Sequence, residues 1–101
     1  MQGDMRIAVL RERYPDHVPC HIKFEGATVL KLILPCCTRV CEMHLCVRKR
    51  MITKGIRVRA EEALFVFVDG MVPASSSFIS DFDIDKTQPV TFEVQRETTF
   101  G

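Results

Sequence analysis

Cys37, Cys41 and His44 stand at i, i+4 and i+7, a spacing that would place three soft donors on one helical face, with Cys36 or Cys46 near enough in sequence to complete a zinc set. The spacing matches no zinc finger, because the two separated ligand pairs of such sites are missing. A cysteine nucleophile with His17, His21 or His44 as base is the next chemistry these residue types suggest, but no orienting group or oxyanion element can be named for it. Asp81, Asp83 and Asp85 alternate like the opening of a calcium loop without its glycine or its later glutamate, which leaves a solvated acidic loop. Arg48, Lys49, Arg50, Lys54, Arg57 and Arg59 hold six of the 14 cationic residues. They suit an anionic surface, or equally the C-terminal end of a helix, whose dipole favours cations. Aromatic stacking platforms are absent nearby, so single-stranded nucleic acid is not expected as a partner. No phosphate loop is present, and neither an enzyme activity, a metal nor a cofactor is expected.

The elements that position these residues must fit one domain, since 101 residues leave no room for a second core. A composition of 47% hydrophobic and 27% charged residues is that of a packed globular protein rather than a disordered tail. A net charge of +1 lacks the footprint of a dedicated nucleic-acid binder. The longest apolar run, Ala63 to Val68, falls far short of the roughly 20 residues that cross a bilayer. The run Ile7 to Leu10 is too short for a secretory signal, and five cysteines are an odd number, so reduced thiols and a cytoplasmic location are expected.

Asp4 is placed to cap a short helix that ends near Arg13, because Tyr14-Pro15 disfavours helical geometry before proline. Cys20 to Phe24 and Thr28 to Leu34 read as strands joined at Glu25-Gly26. Val40, Met43, Val47 and Met51 recur at helical spacing and predict an amphipathic helix across that hairpin. Ala63 to Val68 is continuously apolar, as in a strand buried on both faces, and is expected to be the central strand. Asp69-Gly70 predicts a turn, Phe78 to Phe82 a single helical turn, and Val90 to Val94 a last, alternating strand. The order is β-β-α-β-β after one short N-terminal helix. The predicted class is therefore α+β, a ubiquitin-like β-grasp with a four-stranded mixed sheet.

Four blocks in order carry a more specific resemblance: Arg11-Glu12-Arg13-Tyr14-Pro15-Asp16 with Val18-Pro19, Lys31-Leu32-Ile33-Leu34-Pro35, Val47-Arg48-Lys49-Arg50, and Ala63-Leu64-Phe65-Val66-Phe67-Val68. With Pro73 and the closing Glu97-Thr98-Thr99-Phe100-Gly101, they resemble the lipid-conjugated autophagy modifiers of the GABA-receptor-associated-protein and light-chain-3 family. The resemblance implies residues 1–14 as N-terminal helix, 18–95 as β-grasp core and 96–101 as conjugation tail. The family's first N-terminal helix has no counterpart here, and the connection from Thr53 to Arg59 is longer than usual.

In that family the terminal glycine is activated by a ubiquitin-like activating enzyme and passed to a conjugating enzyme. It is then joined to phosphatidylethanolamine, and a cysteine protease performs processing and deconjugation. Gly101 matches that glycine and Phe100 the recognition residue before it. Glycine suits the chemistry because it lacks a Cβ and leaves its carbonyl open, and two acyl chains hold a protein on a bilayer where one does not. The family also binds aromatic-x-x-aliphatic motif peptides of cargo receptors as an added parallel strand. The resemblance assigns Leu10, Pro19, His21, Lys31 and Ile33 to the first pocket and Leu32, Leu34, Pro35, Met43 and Cys46 to the second. Arg50 is assigned to the attraction of acidic flanks. His21 replaces a preferred aliphatic residue, Thr38 and Cys46 replace larger apolar ones, and Pro89 occupies the position of a pocket aromatic. The expected location is the cytoplasm, and the autophagosome membrane when lipidated. An unconjugated adaptor, or a modifier joined to another protein, stands as the alternative.

Overall fold

The computed structural model describes residues 5–96, so the cap at Asp4 and the tail residues Phe100 and Gly101 lie outside the described residues. Helix α1 spans Met5–Arg13, strand β1 His17–Phe24, β2 Ala27–Pro35, helix α2 Val40–Thr53, β3 Leu64–Phe67 and β4 Val90–Arg96. A single 3₁₀ turn, Ile79–Phe82, precedes β4. Tyr14 N–H still donates to the Leu10 carbonyl at 2.8 Å, and Pro15, without an N–H, cannot continue the helix.

The sheet order is β2-β1-β4-β3. The outer pairs are antiparallel and β1 runs parallel to β4, which makes the mixed four-stranded sheet of the β-grasp. The run from Ala63 to Val68 is not the central strand. Only Leu64–Phe67 pair, at the sheet edge, and Phe65 keeps 44% of its surface exposed. An unbroken apolar run does not distinguish two-sided burial from a short edge strand with a partly covered outer face. The central positions belong instead to β1 and β4. Pro19 is tolerated in β1 because pairing with β4 begins only at Cys20, so no neighbour on that side needs its missing N–H.

Two turns follow the expected chemistry. Glu25 and Gly26 have φ of +53° and +84°, and Asp69 and Gly70 have +51° and +76°. These are the left-handed pairs whose twist matches a tight hairpin. Val68 and Met71 bridge across the second.

Burial alternates along β1, sending Val18, Cys20, Ile22 and Phe24 to one face and His17, His21 and Lys23 to the other. The first face packs on α2, whose stripe Val40, Met43, Val47 and Met51 is buried as its spacing predicted. Phe92, Val94 and Ile79 complete that core. The start of α2 is held by the loop before β4. Val40 N–H donates to Ser77 O at 2.8 Å, Cys41 N–H to Ser75 O at 3.1 Å, and the Glu42 carboxylate accepts from Arg39 N–H at 2.8 Å. These bonds satisfy donors that a helix start otherwise leaves unpaired. Among the described residues no helix is long and apolar enough to cross a membrane.

Candidate functional site

The second face of the hairpin is where the expected site residues meet. Antiparallel register sets Pro19 opposite Ile33 and His21 opposite Lys31, and a strand's period of two turns all four side chains to the same side. Helix α1 lies over that face, with Ile7 buried and Leu10 half-buried. Between helix and strands opens a cavity of about 280 Å³. Leu10, Pro19, His21, Lys31 and Ile33, the complete first-pocket set, line it. Arg6, Ile7 and Leu32 complete the lining. The first two come from the turn of α1 that faces the sheet, a contribution the sequence reading did not assign. The walls are largely apolar, with Lys31 and Arg6 exposed at the rim. Such a cavity suits a large apolar or aromatic side chain with an anionic neighbour.

Helix α1 is fixed there by a long-range ion pair. The Arg11 guanidinium donates to both Asp83 oxygens at 2.9 and 2.7 Å, and to the Gln88 carbonyl at 3.0 Å. Lys86 Nζ adds a third donor to Asp83 at 3.1 Å. Burial works to raise the Asp83 pKa, but the hydrogen bonds from Arg11 and Lys86, with their charges, hold the carboxyl below its usual range. A bidentate guanidinium–carboxylate pair fixes direction as well as distance. The acidic run Asp81, Asp83, Asp85 is thus no cation loop, because its central member is an internal anchor.

The second-pocket set is less accessible. Met43 has no exposed surface and Leu32 is buried, while Leu34 and Cys46 are half-buried against the core. Pro35 and Arg50 are exposed. Pro89 does not reach the first cavity. It lines a separate one with Phe82, Ile84 and Val90, so no wall at that position narrows the first pocket.

Competing chemistries lose their geometry. Cys37 sits in the Pro35–Thr38 turn, where Thr38 N–H donates to Pro35 O at 3.0 Å, and precedes α2 altogether. It therefore shares no helical face with Cys41 and His44. Among the described residues no three His, Cys, Asp or Glu side chains converge as metal ligands. Burial, reinforced by the Asp83 charge and opposed by Arg11, pushes the Cys20 thiol up to about 12, which removes it as a nucleophile. Of the basic cluster, Arg48 is turned inward, whereas Lys49, Arg50, Arg57 and Arg59 are exposed. Arg48 donates to the carbonyls of Arg59, Ala60 and Glu62 at 2.5, 3.0 and 2.6 Å, stapling the connection before β3 to α2. Arg96 binds the Glu62 carboxylate at 3.0 Å and the Arg57 carbonyl at 2.6 Å, which closes the same connection from the sheet side. Glu62 is held below its usual pKa range first by the Arg59 backbone N–H and then by Arg96.

A further apolar hollow of about 190 Å³ lies between the start of α2 and β3, lined by His44, Phe65, Val72 and their neighbours.

No protein-family model matches the sequence. Autophagy-related protein 8e of Arabidopsis thaliana is 32% identical over 101 residues, covering 91% of this chain and 79% of that protein. The crystal structure of ATG8 from Trypanosoma brucei matches with a TM-score of 0.75 at 25% identity, over 96% of this chain and 87% of that one.

Proposed function

The chain belongs to the autophagy-related protein 8 family of ubiquitin-like modifiers, which are tags and not enzymes, and from that premise we propose that it acts through a covalent tail and a docking edge. The tail is residues 97–101, one residue shorter than the expected 96–101 because Arg96 still pairs in β4, with Gly101 joined to phosphatidylethanolamine by the activating and conjugating enzymes of the pathway. A cysteine protease that reads Phe100 acts before or after. The adduct resides on autophagosomal membranes and its unconjugated form in the cytoplasm. The edge is β2, along which extended receptor peptides add as a strand, placing an aromatic anchor in the cavity between α1 and the hairpin.

The observation that supports docking is the gathering of Leu10, Pro19, His21, Lys31 and Ile33 around one cavity beside an unpaired strand edge. β2 has a neighbour on one side only, so its outward backbone groups are available to another chain. The cavity lies at Lys31 and Ile33, upstream of Leu34 and Pro35. An aromatic-then-aliphatic peptide therefore fits running in the same direction as β2.

Two measurements test this reading. Incubation with cognate activating and conjugating enzymes, ATP and phosphatidylethanolamine liposomes is expected to add a lipid-sized mass, and the Gly101→Ala chain is expected to stay unchanged. An unmodified wild-type chain under those conditions refutes conjugation. An aromatic-x-x-aliphatic peptide titrated into labelled protein is expected to shift amides across Lys31 to Leu34, and shifts confined elsewhere refute edge docking.

A further inference from the structure

The connection from α2 to β3, residues 54–63, carries two cations that the fold does not use. Its backbone is held from several sides. Ile56 N–H donates to Met51 O at 2.9 Å, and Ile56 and Val58 pack half-buried against the core. Arg48 donates to the Arg59 carbonyl, Arg96 to the Arg57 carbonyl, and Arg59 N–H to the Glu62 carboxylate at 3.1 Å. The Lys54 ammonium is engaged by the Val29 carbonyl of β2 at 2.5 Å. With Ile56 and Val58 turned inward, the alternating Arg57 and Arg59 are left exposed. Among the described residues neither of their side chains donates a hydrogen bond or has an ion-pair partner. Of the two acids in the connection, Glu62 is taken by Arg96 and Glu61 is exposed.

These arginines stand at the end of the sheet from which the tail departs. Phe24 pairs there with Ala27 and with Val94, and Leu64 with Arg96, whereas His17 and Pro35 pair at the opposite end. The Arg96 guanidinium reaches the Arg57 carbonyl at 2.6 Å, so the root of the tail touches the cationic connection. Five extended residues, 97–101, span at most about 18 Å, and a lipid on Gly101 therefore holds a bilayer within that distance of Arg96. Long side chains projecting from the connection close part of the gap, and the negative potential of an anionic leaflet acts over a further Debye length, about 10 Å at 0.1 M salt. We propose that Arg57 and Arg59 form a membrane-facing site for the phosphate-bearing headgroups of anionic lipids, which seats the tagged domain on its tail end. The seating rests on the conjugation of Gly101 proposed above. Guanidinium forks match phosphate oxygens in pairs. In this pose the Pro35 end of β2 is farthest from the bilayer, and the docking edge stays open to receptors. A cation near such a surface strengthens partitioning about fivefold, and the pair about 30-fold.

Co-flotation of the full, unconjugated chain with vesicles tests the site without the conjugation enzymes. At low ionic strength the chain is expected to float with vesicles of phosphatidylcholine and phosphatidylserine in equal parts, and not with phosphatidylcholine alone. Arg57→Gln with Arg59→Gln is expected to weaken that partitioning about 30-fold. Arg13→Glu changes the net charge by the same amount at the opposite end, beside Tyr14 and His17, and is expected to have little effect. Gly101→Ala should float like the wild type. No preference for the anionic vesicles, or an equal loss in Arg13→Glu, overturns the site and leaves conjugation standing. Binding of polyglutamate that depends on Arg57 and Arg59, without partitioning to vesicles, assigns the pair to an acidic protein and overturns the membrane assignment. A wild-type chain left unmodified in the conjugation assay refutes the tether, and the seating with it, whatever the flotation shows.

Discussion

Replacing Arg11 by methionine keeps the apolar stem of the side chain and removes the guanidinium from a carboxylate that is almost fully enclosed. The Arg11 and Asp83 side chains retain 18% and 3% of their exposure. Removing one member of a buried pair costs about 3–5 kcal/mol, because the other charge is left in low dielectric without its partner. Lys86 still reaches the same carboxylate at 3.1 Å, but its side chain is 66% exposed and screened by solvent. The lower end, about 3 kcal/mol, is therefore expected. For a domain of this size that corresponds to a fall in Tm of about 12–24 °C. The pH dependence has a defined sign. Asp83 is held below the usual carboxylate value of 3.8 in the folded state, so its contribution is complete above that value and is lost as pH falls through the lower folded-state value. The gap between wild type and variant should therefore close in acid. Thermal melts at neutral pH and across the acid range measure both. A fall in Tm of less than about 4 °C at neutral pH refutes the assignment of Asp83 as a buried anchor. The same variant should also bind the aromatic-anchored peptide more weakly, since Leu10 and Ile7 reach the cavity only through α1.

Other perturbations follow from single features. Phe92→Ala, at a position with no exposed surface in the centre of the core, should cost about 3–5 kcal/mol in urea unfolding. Alkylation at pH 8 followed by peptide mapping should label the exposed Cys36, Cys37 and Cys41 in the native state and spare Cys20 until the chain is unfolded. Labelling of native Cys20 at a comparable rate would contradict its burial. Arg48→Met removes the one guanidinium nitrogen that serves the carbonyls of Arg59, Ala60 and Glu62 and should speed hydrogen exchange between Ile56 and Ala63, with little change in β1.

What the sequence disclosed follows from which interactions are local. The stripe Val40, Met43, Val47, Met51 was legible because a helix writes its buried face into its period, and both tight turns were legible because glycine marks a positive φ. The placement of the Ala63 to Val68 strand was not, since pairing partners are chosen across the chain and apolarity alone does not report them. Cys37 was misplaced on a helix face because the N-terminal boundary of α2 at Val40 is fixed by carbonyls of Ser75 and Ser77, far away in sequence. The first cavity was legible only through resemblance. Pattern reading placed Leu10 on a helix and Ile33 on a strand without bringing them together. The hydrogen bond from Lys54 to the Val29 carbonyl left no local trace, because it joins residues 25 apart in the chain.

The parallel pairing of β1 with β4 bears on how the molecule carries load. Cys20 to Phe24 lie beside Val90 to Val94 in the sheet interior. A pull on the chain from the C-terminal end of β4, resisted by a partner seated on β2, runs along the strands rather than across them. The β1–β4 ladder then bears the force together, in shear, and β3 braces β4 from its other side. A tail that tethers such a domain would transmit tension into its strongest direction, whereas the same force applied across the β2 edge would open one bond at a time.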